Sequence, residues 1–260
     1  MTDAAVRFAA SDSIGVITLN RPDNRNSMTP ELLDAFAAAT TEARAADLRC
    51  LVVTGTGSCF SSGADFKSVT QRDGDQRAPN ERSYAMYEPF LGLLDLAVPV
   101  IAALNGHTVG GGFGLALICD LRIGARDAKY GANFVRLGLA PGMAISYLLP
   151  RLIGVARASE LLLTGRLVSG TEAEQLGILN RAVPASDVLD EAMTLAREIA
   201  DNAPIAVRAT KRAIQRGLDL QIRDAARVEA YAQAESLQTS DAREGIAALL
   251  GKRKPVFTGG

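Results

Sequence analysis

Val109-Gly110-Gly111-Gly112-Phe113-Gly114-Leu115-Ala116-Leu117-Ile118-Cys119 is the stretch on which the fold turns. A short apolar strand is expected over residues 99–104 before it, with a turn at Asn105-Gly106. After the glycines, an apolar helix is expected over 113–119 and a further strand over 120–125. Glycines between a strand and a buried helix leave bare backbone where another chain or a ligand can come close. They also direct N–H groups without helical partners, at the positive end of the helix dipole, away from the helix. Close helix–strand packing with no ligand uses the same pattern.

Two common ligands fit poorly. A phosphate loop needs Gly-x-x-x-x-Gly-Lys-Ser/Thr, and the chain has no such string. Gly112-Phe113-Gly114 opens a dinucleotide fingerprint, but Leu117 stands where its third small residue belongs, which disfavours a nucleotide-dependent oxidoreductase. An oxygen carrying partial negative charge, held by N–H groups alone, remains. A second cluster, Ser61-Ser62-Gly63-Ala64-Asp65, follows the apolar strand expected over 50–54. By itself it reads as a turn into a helix capped by Asp65. Together, two strand-to-helix corners that each offer one N–H are the parts of a two-donor oxyanion hole. Losing one such donor typically costs about 2.7–4 kcal/mol of transition-state stabilisation.

Outward from these corners, residues 6–10 and 14–20 alternate and read as a hairpin. Thr29-Pro30-Glu31 carries a hydroxyl cap, a proline at the first helical position and an early acid, so a helix is expected to about residue 46. Residues 55–63 form a Gly/Ser-rich stretch, 69–80 a polar mobile loop and 82–97 a helix. From 145 onward the chain reads as helix after helix, over 146–153, 156–163, 171–176, 186–202, 204–216, 222–236 and 241–249. This predicts an α/β fold of one domain with a helical C-terminal extension.

The bulk numbers exclude several partners. The 260 residues carry 28 basic and 29 acidic side chains, a formal net charge of -1. Nothing in that balance draws the chain to nucleic acid or an anionic membrane. No apolar run approaches the ~20 residues that span a bilayer, and residues 1–10 show no signal-peptide pattern. A cytoplasmic location is expected. Cys50, Cys59 and Cys119 match no zinc or redox spacing and read as buried reduced thiols.

Leu19-Asn20-Arg21-Pro22, the run from Cys59 to Lys67, Pro99-Val100-Ile101-Ala102-Ala103 with Asn105-Gly106, and Val109 to Gly112 together resemble the enoyl-CoA hydratase/isomerase (crotonase) family. The likeness continues through Cys119-Asp120, Leu137-Gly138-Leu139-Ala140-Pro141-Gly142, Leu162-Leu163-Thr164-Gly165 and the tail Lys252-Arg253-Lys254-Pro255-Val256-Phe257, over essentially the whole chain. It implies a crotonase (ClpP/crotonase-like) fold of repeated ββα units over 1–195. It also implies a C-terminal helical trimerisation region over 196–260, in trimers or hexamers. It implies an oxyanion hole from the amides of Ala64 and Gly111, and fatty-acid metabolism as the setting. Coenzyme A would enter as part of the substrate, along Arg25 and Ser62, Gly63 and Asp65. Lys252 and Phe257 would meet its nucleotide end in a neighbouring subunit. No tightly bound cofactor and no metal are expected.

The pattern breaks at the proton-transfer positions. Hydratases of this family carry one glutamate where this chain has Gly114 and another at or beside Phe134; some isomerases carry an aspartate where it has Gly142. Each general acid–base group contributes about 10²- to 10⁴-fold, and neither Gly114 nor Phe134 transfers a proton. A roomier, drier acyl pocket and little hydration of crotonyl-type thioesters are therefore expected. His107, Tyr84, Tyr87 and Glu88 are the candidates to replace the missing groups, although a backbone-satisfied His107 and packing or surface roles for the others explain them as well. Asp120 reads as structural, Arg136 as solvated or paired. Asn133 could hold a water or substrate oxygen but not act as a base. A lyase or isomerase with an atypical site leads; a non-catalytic acyl-CoA carrier is the alternative.

Overall fold

The computed structural model describes residues 4–65, 76, 78–217, 239–251, 253 and 255–260. The helix expected over 222–236, most of the polar loop at 69–80, and Lys252 lie outside these described residues.

The hairpin forms as expected. β1 (Val6–Ser11) and β2 (Ile14–Leu19) pair antiparallel. Asp12 and Ser13 between them both take left-handed backbone, φ 52° and 61°. Such a two-residue turn matches the natural twist of paired strands. α1 (Pro30–Ala45) starts where the cap signal put it: the Thr29 hydroxyl accepts from Leu32 N at 3.2 Å. Its buried face is Leu32, Leu33, Phe36, Ala39 and Ala43, the spacing of one helical stripe.

The chain then repeats one manoeuvre. β3 (Cys50–Gly55) leads into the short β4 (Cys59–Ser61), with α2 (Pro79–Leu91) further on. β5 (Val100–Leu104) leads into β6 (His107–Val109) and α3 (Gly111–Ile118). β7 (Leu121–Ala125) leads into β8 (Lys129–Gly131) and, after a 3-10 turn at Phe134–Leu137, into α4 (Ile145–Ile153). The first strand of each pair joins one sheet and the second joins another. The larger sheet runs β1-β2-β3-β5-β7-β10, with β10 at Arg181–Val183, and is parallel from β2 onward. The smaller runs β4-β6-β8-β9, with β9 at Val168–Ser169 and with β4, β6 and β8 parallel. These are the repeated ββα units expected above. A parallel sheet is covered on both faces, and every residue of β5 is buried accordingly.

The remaining elements are α5 (Val155–Thr164), β9 (Val168–Ser169), α6 (Gly170–Gln175), β10 (Arg181–Val183), α7 (Val188–Ala200), α8 (Pro204–Gly217) and α9 (Ser240–Leu250). Here the expectation of unbroken helices from 145 onward is corrected. β9 pairs antiparallel with β8, and β10 closes the edge of the larger sheet beside β7. β4, β6 and β8 were likewise not anticipated. Strands of two or three residues show no periodicity of their own; their partners in space define them. Asp120 holds the frame together, as expected of a structural acid. Its Oδ2 accepts from Val100 N at 2.8 Å and pairs with Lys211 Nζ at 2.8 Å, tying α8 to the sheet. Cys50, Cys59 and Cys119 are free and buried. No described helix is long and apolar enough to cross a membrane.

Candidate functional site

The two glycine corners meet. Gly63 takes φ +82°, and a Cβ there would lie 2.7 Å from the Gly111 amide nitrogen and 2.9 Å from the Val109 carbonyl. Only a residue without a side chain permits that approach. Gly112 is constrained from the same side, since a Cβ would lie 2.5 Å from the Ser61 carbonyl. Ser61 is 1% exposed and braces the turn: its hydroxyl donates to the Asn26 carbonyl at 2.8 Å and accepts from Gly63 N at 3.2 Å. Gly110, at φ +59°, donates to the Gly131 carbonyl at 3.0 Å and so anchors the second corner to β8.

Ala64 and Gly111 therefore sit on adjoining backbones at the mouths of β4 and β6. Ala64 forms a parallel bridge with Met28, whose amide donates to the Gly63 carbonyl at 2.8 Å. Among the described residues, neither the Ala64 nor the Gly111 amide donates a hydrogen bond. Gly111 opens α3, where the first N–H groups have no helical acceptor and the dipole is positive. All eight residues of α3 are buried, so this field acts in a poorly hydrated place.

The loop before α1 completes the arrangement. Arg25 and Asn26 are both left-handed, φ 58° and 51°. The Arg25 carbonyl accepts from Ser62 N at 3.0 Å, and Arg25 is exposed. Asn26 is fully buried and holds the loop down. Its Nδ2 donates to the carbonyls of Thr56 and Cys59 at 3.0 and 2.9 Å, and its Oδ1 accepts from Arg21 N at 2.7 Å. Asn26 is not among the residues singled out from the sequence above. A left-handed asparagine inside a turn was the available signal.

The walls around α3 are apolar. The Phe134 ring stands over the second corner, its Cζ 3.9 Å from a Cβ placed at Gly110. Gly114 lies one turn into α3, its amide donating to the Gly110 carbonyl at 3.1 Å. The expectation that Gly114 leaves extra room is corrected here. A Cβ at Gly114 would overlap Met143 Cβ and lie 3.1 Å from Met143 Cγ and 3.4 Å from Ile145 Cδ1. Met143 is 1% exposed and fills the space. It is directed there by two consecutive left-handed residues, Met143 at φ 56° and Ala144 at φ 52°. Neither is a residue that favours this conformation, and nothing in the local sequence announces it.

The other candidates divide clearly. His107 Nδ1 accepts from Lys129 N at 3.0 Å, so its side chain is engaged with the backbone of β8. Tyr84 is 57% exposed. Glu88 lines a shallow groove between α1 and α2 with Asp34, Thr40 and Arg44. Arg136 Nε donates to the Thr164 carbonyl at 3.0 Å. Tyr87 is half-buried, with its hydroxyl against Gly142 and its titration pushed above the ordinary tyrosine range by burial. Phe257 is not with the corner residues of its own chain. Its carbonyl accepts from Arg49 Nη2 at 2.9 Å and its ring rests near Gly245, at the end of the sheet where β3 begins. The corners lie at the far end, where β3 finishes. Among the described residues no cluster of His, Cys, Asp and Glu gathers to hold a metal.

Comparison with known proteins gives one consistent result. The model of the family described as enoyl-CoA hydratase/isomerase matches residues 9–260. A putative enoyl-CoA hydratase/isomerase YngF of Bacillus subtilis is 37% identical, with 100% of each chain covered. A probable enoyl-CoA hydratase echA8 of Mycobacterium tuberculosis is 34% identical over 99% of each. Among solved structures, an enoyl-CoA hydratase from Bacillus anthracis superposes with a TM-score of 0.93 at 34% identity, covering 98% of this chain and 100% of that one.

Proposed function

The chain belongs to the enoyl-CoA hydratase/isomerase family and has its crotonase fold, and from that premise we propose that it binds acyl-coenzyme A thioesters, gripping the thioester oxygen with the amides of Ala64 and Gly111. One observation carries the reading: the two corners meet so closely that Gly63 tolerates no side chain against the Gly111 nitrogen, and both amides lack acceptors among the described residues. Two preorganised donors in a dry setting favour the oxygen when it gains charge, as in a thioester enolate. Coenzyme A then lies along Arg25, Ser62, Gly63 and Asp65, with Lys252 and Phe257 of a neighbouring subunit at its nucleotide end. Action in the cytoplasm as a trimer or hexamer belongs to the same proposal.

The reaction does not run through the usual pair of glutamates. Gly114 and Phe134 stand at those positions, and neither moves a proton. Hydration of crotonyl-type thioesters is therefore weak or absent, and chemistry that leans on the oxyanion hole is favoured. The apolar packing of Met143 onto Gly114 also supports a second reading, an acyl-CoA carrier without turnover.

The test is to titrate the full-length protein with saturated and unsaturated acyl-CoAs of several lengths and to follow the same mixtures by mass spectrometry. We expect binding, with crotonyl-CoA hydration at least 10²-fold below that of an ordinary hydratase, the contribution of one missing acid–base group. A product mass or isomer supports the enzyme, and unchanged ligand supports the carrier. Hydration at an ordinary rate overturns the reading of Gly114 and Phe134. No binding overturns both readings.

A further inference from the structure

The amides of Ala64 and Gly111 are aimed by different parts of the chain. In a trans peptide the carbonyl of one residue and the N–H of the next point in opposite directions, so whatever grips the carbonyl also aims the amide. The Gly110 carbonyl accepts from Gly114 N at 3.1 Å, in the first turn of α3. The Gly111 N–H therefore points back out of the helix, and the helix itself holds it. The Gly63 carbonyl accepts instead from Met28 N at 2.8 Å, across to the loop before α1. The Ala64 N–H therefore points away from that loop and is held from outside its own corner. Two more contacts join the loop to the same corner. The Arg25 carbonyl accepts from Ser62 N at 3.0 Å, and the Asn26 carbonyl accepts from the Ser61 hydroxyl at 2.8 Å. Gly63, left-handed at φ +82°, has little conformational preference with which to hold the peptide by itself.

One side chain fastens that loop to the strand that carries the corner. Asn26 is fully buried, and its Nδ2 donates to the Thr56 and Cys59 carbonyls on either side of the turn from β3 into β4. Its Oδ1 accepts from Arg21 N, closing the loop on itself. Resting on the acyl-CoA reading above, we propose that Asn26 is the positioning residue of the thioester grip: it sets the direction of the Ala64 donor and leaves the Gly111 donor untouched. Asn26 itself meets no substrate and acts through the loop, the Met28 amide and the Gly63 carbonyl. Asn26→Asp keeps the size of the side chain, its acceptor for Arg21 N and a residue type that tolerates left-handed backbone. It removes both donated bonds and sets a carboxylate oxygen against two carbonyls. The loop is then released, the Gly63 carbonyl loses its fixed partner, and the Ala64 N–H turns away from the thioester oxygen. The Gly111 N–H stays in place because α3 holds it.

The experiment compares butyryl-CoA with S-butyl-CoA, the thioether in which a methylene replaces the carbonyl. The two ligands share coenzyme A and chain length, so the ratio of their dissociation constants by calorimetry reports the grip on the oxygen alone. The wild type is expected to bind butyryl-CoA about 10-fold tighter, from two hydrogen bonds of typical strength. In Asn26→Asp that ratio falls about 3-fold, the share of one donor, and the remaining preference comes from Gly111. The carbonyl stretch of bound, isotope-labelled butyryl-CoA moves to higher frequency in the same variant, because one donor polarises the bond less than two. Ser61→Ala cuts one of the three contacts between loop and corner and leaves the Asn26 side chain in place, so the ratio falls by a smaller factor and the stretch moves the same way. A purely structural asparagine weakens both ligands together and leaves ratio and stretch unchanged. That result in Asn26→Asp, or in Ser61→Ala where Asn26→Asp does not fold, overturns the assignment of Asn26. Equal affinity of the wild type for the two ligands overturns the grip of Ala64 and Gly111 on the thioester oxygen, and binding of neither overturns the acyl-CoA reading itself.

Discussion

At the scale of single residues, Gly114 shows how an apparent vacancy can be an occupied position. Ordinarily, replacing a helical glycine by alanine stabilises by roughly 0.5–1 kcal/mol, because alanine loses less backbone entropy. Here the added Cβ collides with Met143 Cβ, an atom fixed to the backbone and unable to swing away. Overpacking of this kind costs about 1–3 kcal/mol. Gly114→Ala is therefore expected to lower the melting temperature by roughly 2–12 °C, using about 2–4 °C per kcal/mol for a chain of this class. In a Met143→Gly background the collision is gone, and glycine suits the left-handed φ of 56° at that position. There Gly114→Ala should raise the melting temperature. Differential scanning calorimetry of the four proteins checks the reversal of sign; equal effects in both backgrounds would remove the Met143 argument. The same collision means that no larger side chain enters at residue 114 without moving Met143.

At the scale of elements, the corners are only as well placed as the helices behind them. α1 and α2 meet through Phe36 and Phe90, both fully buried, with ring centroids 4.7 Å apart in an edge-to-face arrangement. α2 also carries Tyr87, so this aromatic pair sets where the phenol stands. Phe90→Ala is expected to cost about 3–5 kcal/mol, the usual range for emptying a buried aromatic site. Leu94→Ala, at a side chain 47% exposed three residues beyond the end of α2, should stay within about 0.5 kcal/mol of wild type. Urea unfolding with an unchanged m-value measures both; a Phe90→Ala variant as stable as the wild type would show that the two helices are held by other contacts. α1 was legible from its cap, proline and stripe, and α3 from the glycine run, because those signals lie within one stretch of chain. The short strands β4, β6 and β8 were not, since two or three residues acquire their identity from a neighbour across the sheet.

At the scale of the whole molecule, burial in one continuous core governs how stability responds to pH. Burial pushes the Cys50 and Cys119 thiols up to about 12, with the nearby Asp120 charge adding in the same direction. Burial also raises Tyr130, whose hydroxyl donates to the Ala125 carbonyl at 2.9 Å. An unfolded thiol ionises near ~8.5. Below that pH both states are protonated and these groups contribute their full stabilisation. As pH rises from there towards 12, only the unfolded chain loses its protons, so stability falls. Urea midpoints in reducing buffer should decline between pH 8 and pH 10.5, and less steeply for Cys50→Ala/Cys119→Ala; an identical slope would mean that these thiols do not contribute. The sequence by itself determined the α/β class, the hairpin, the cap of α1 and the two glycine corners, because glycine freedom, capping and periodicity act between residues close in the chain. Only the tertiary structure decided that Gly63 abuts Gly111, that Met143 fills the space at Gly114 and that Tyr87 reaches Gly142. Those contacts join residues dozens of positions apart or depend on left-handed backbone at Met143 and Ala144, and the packing of the folded chain, not local preference, holds them there.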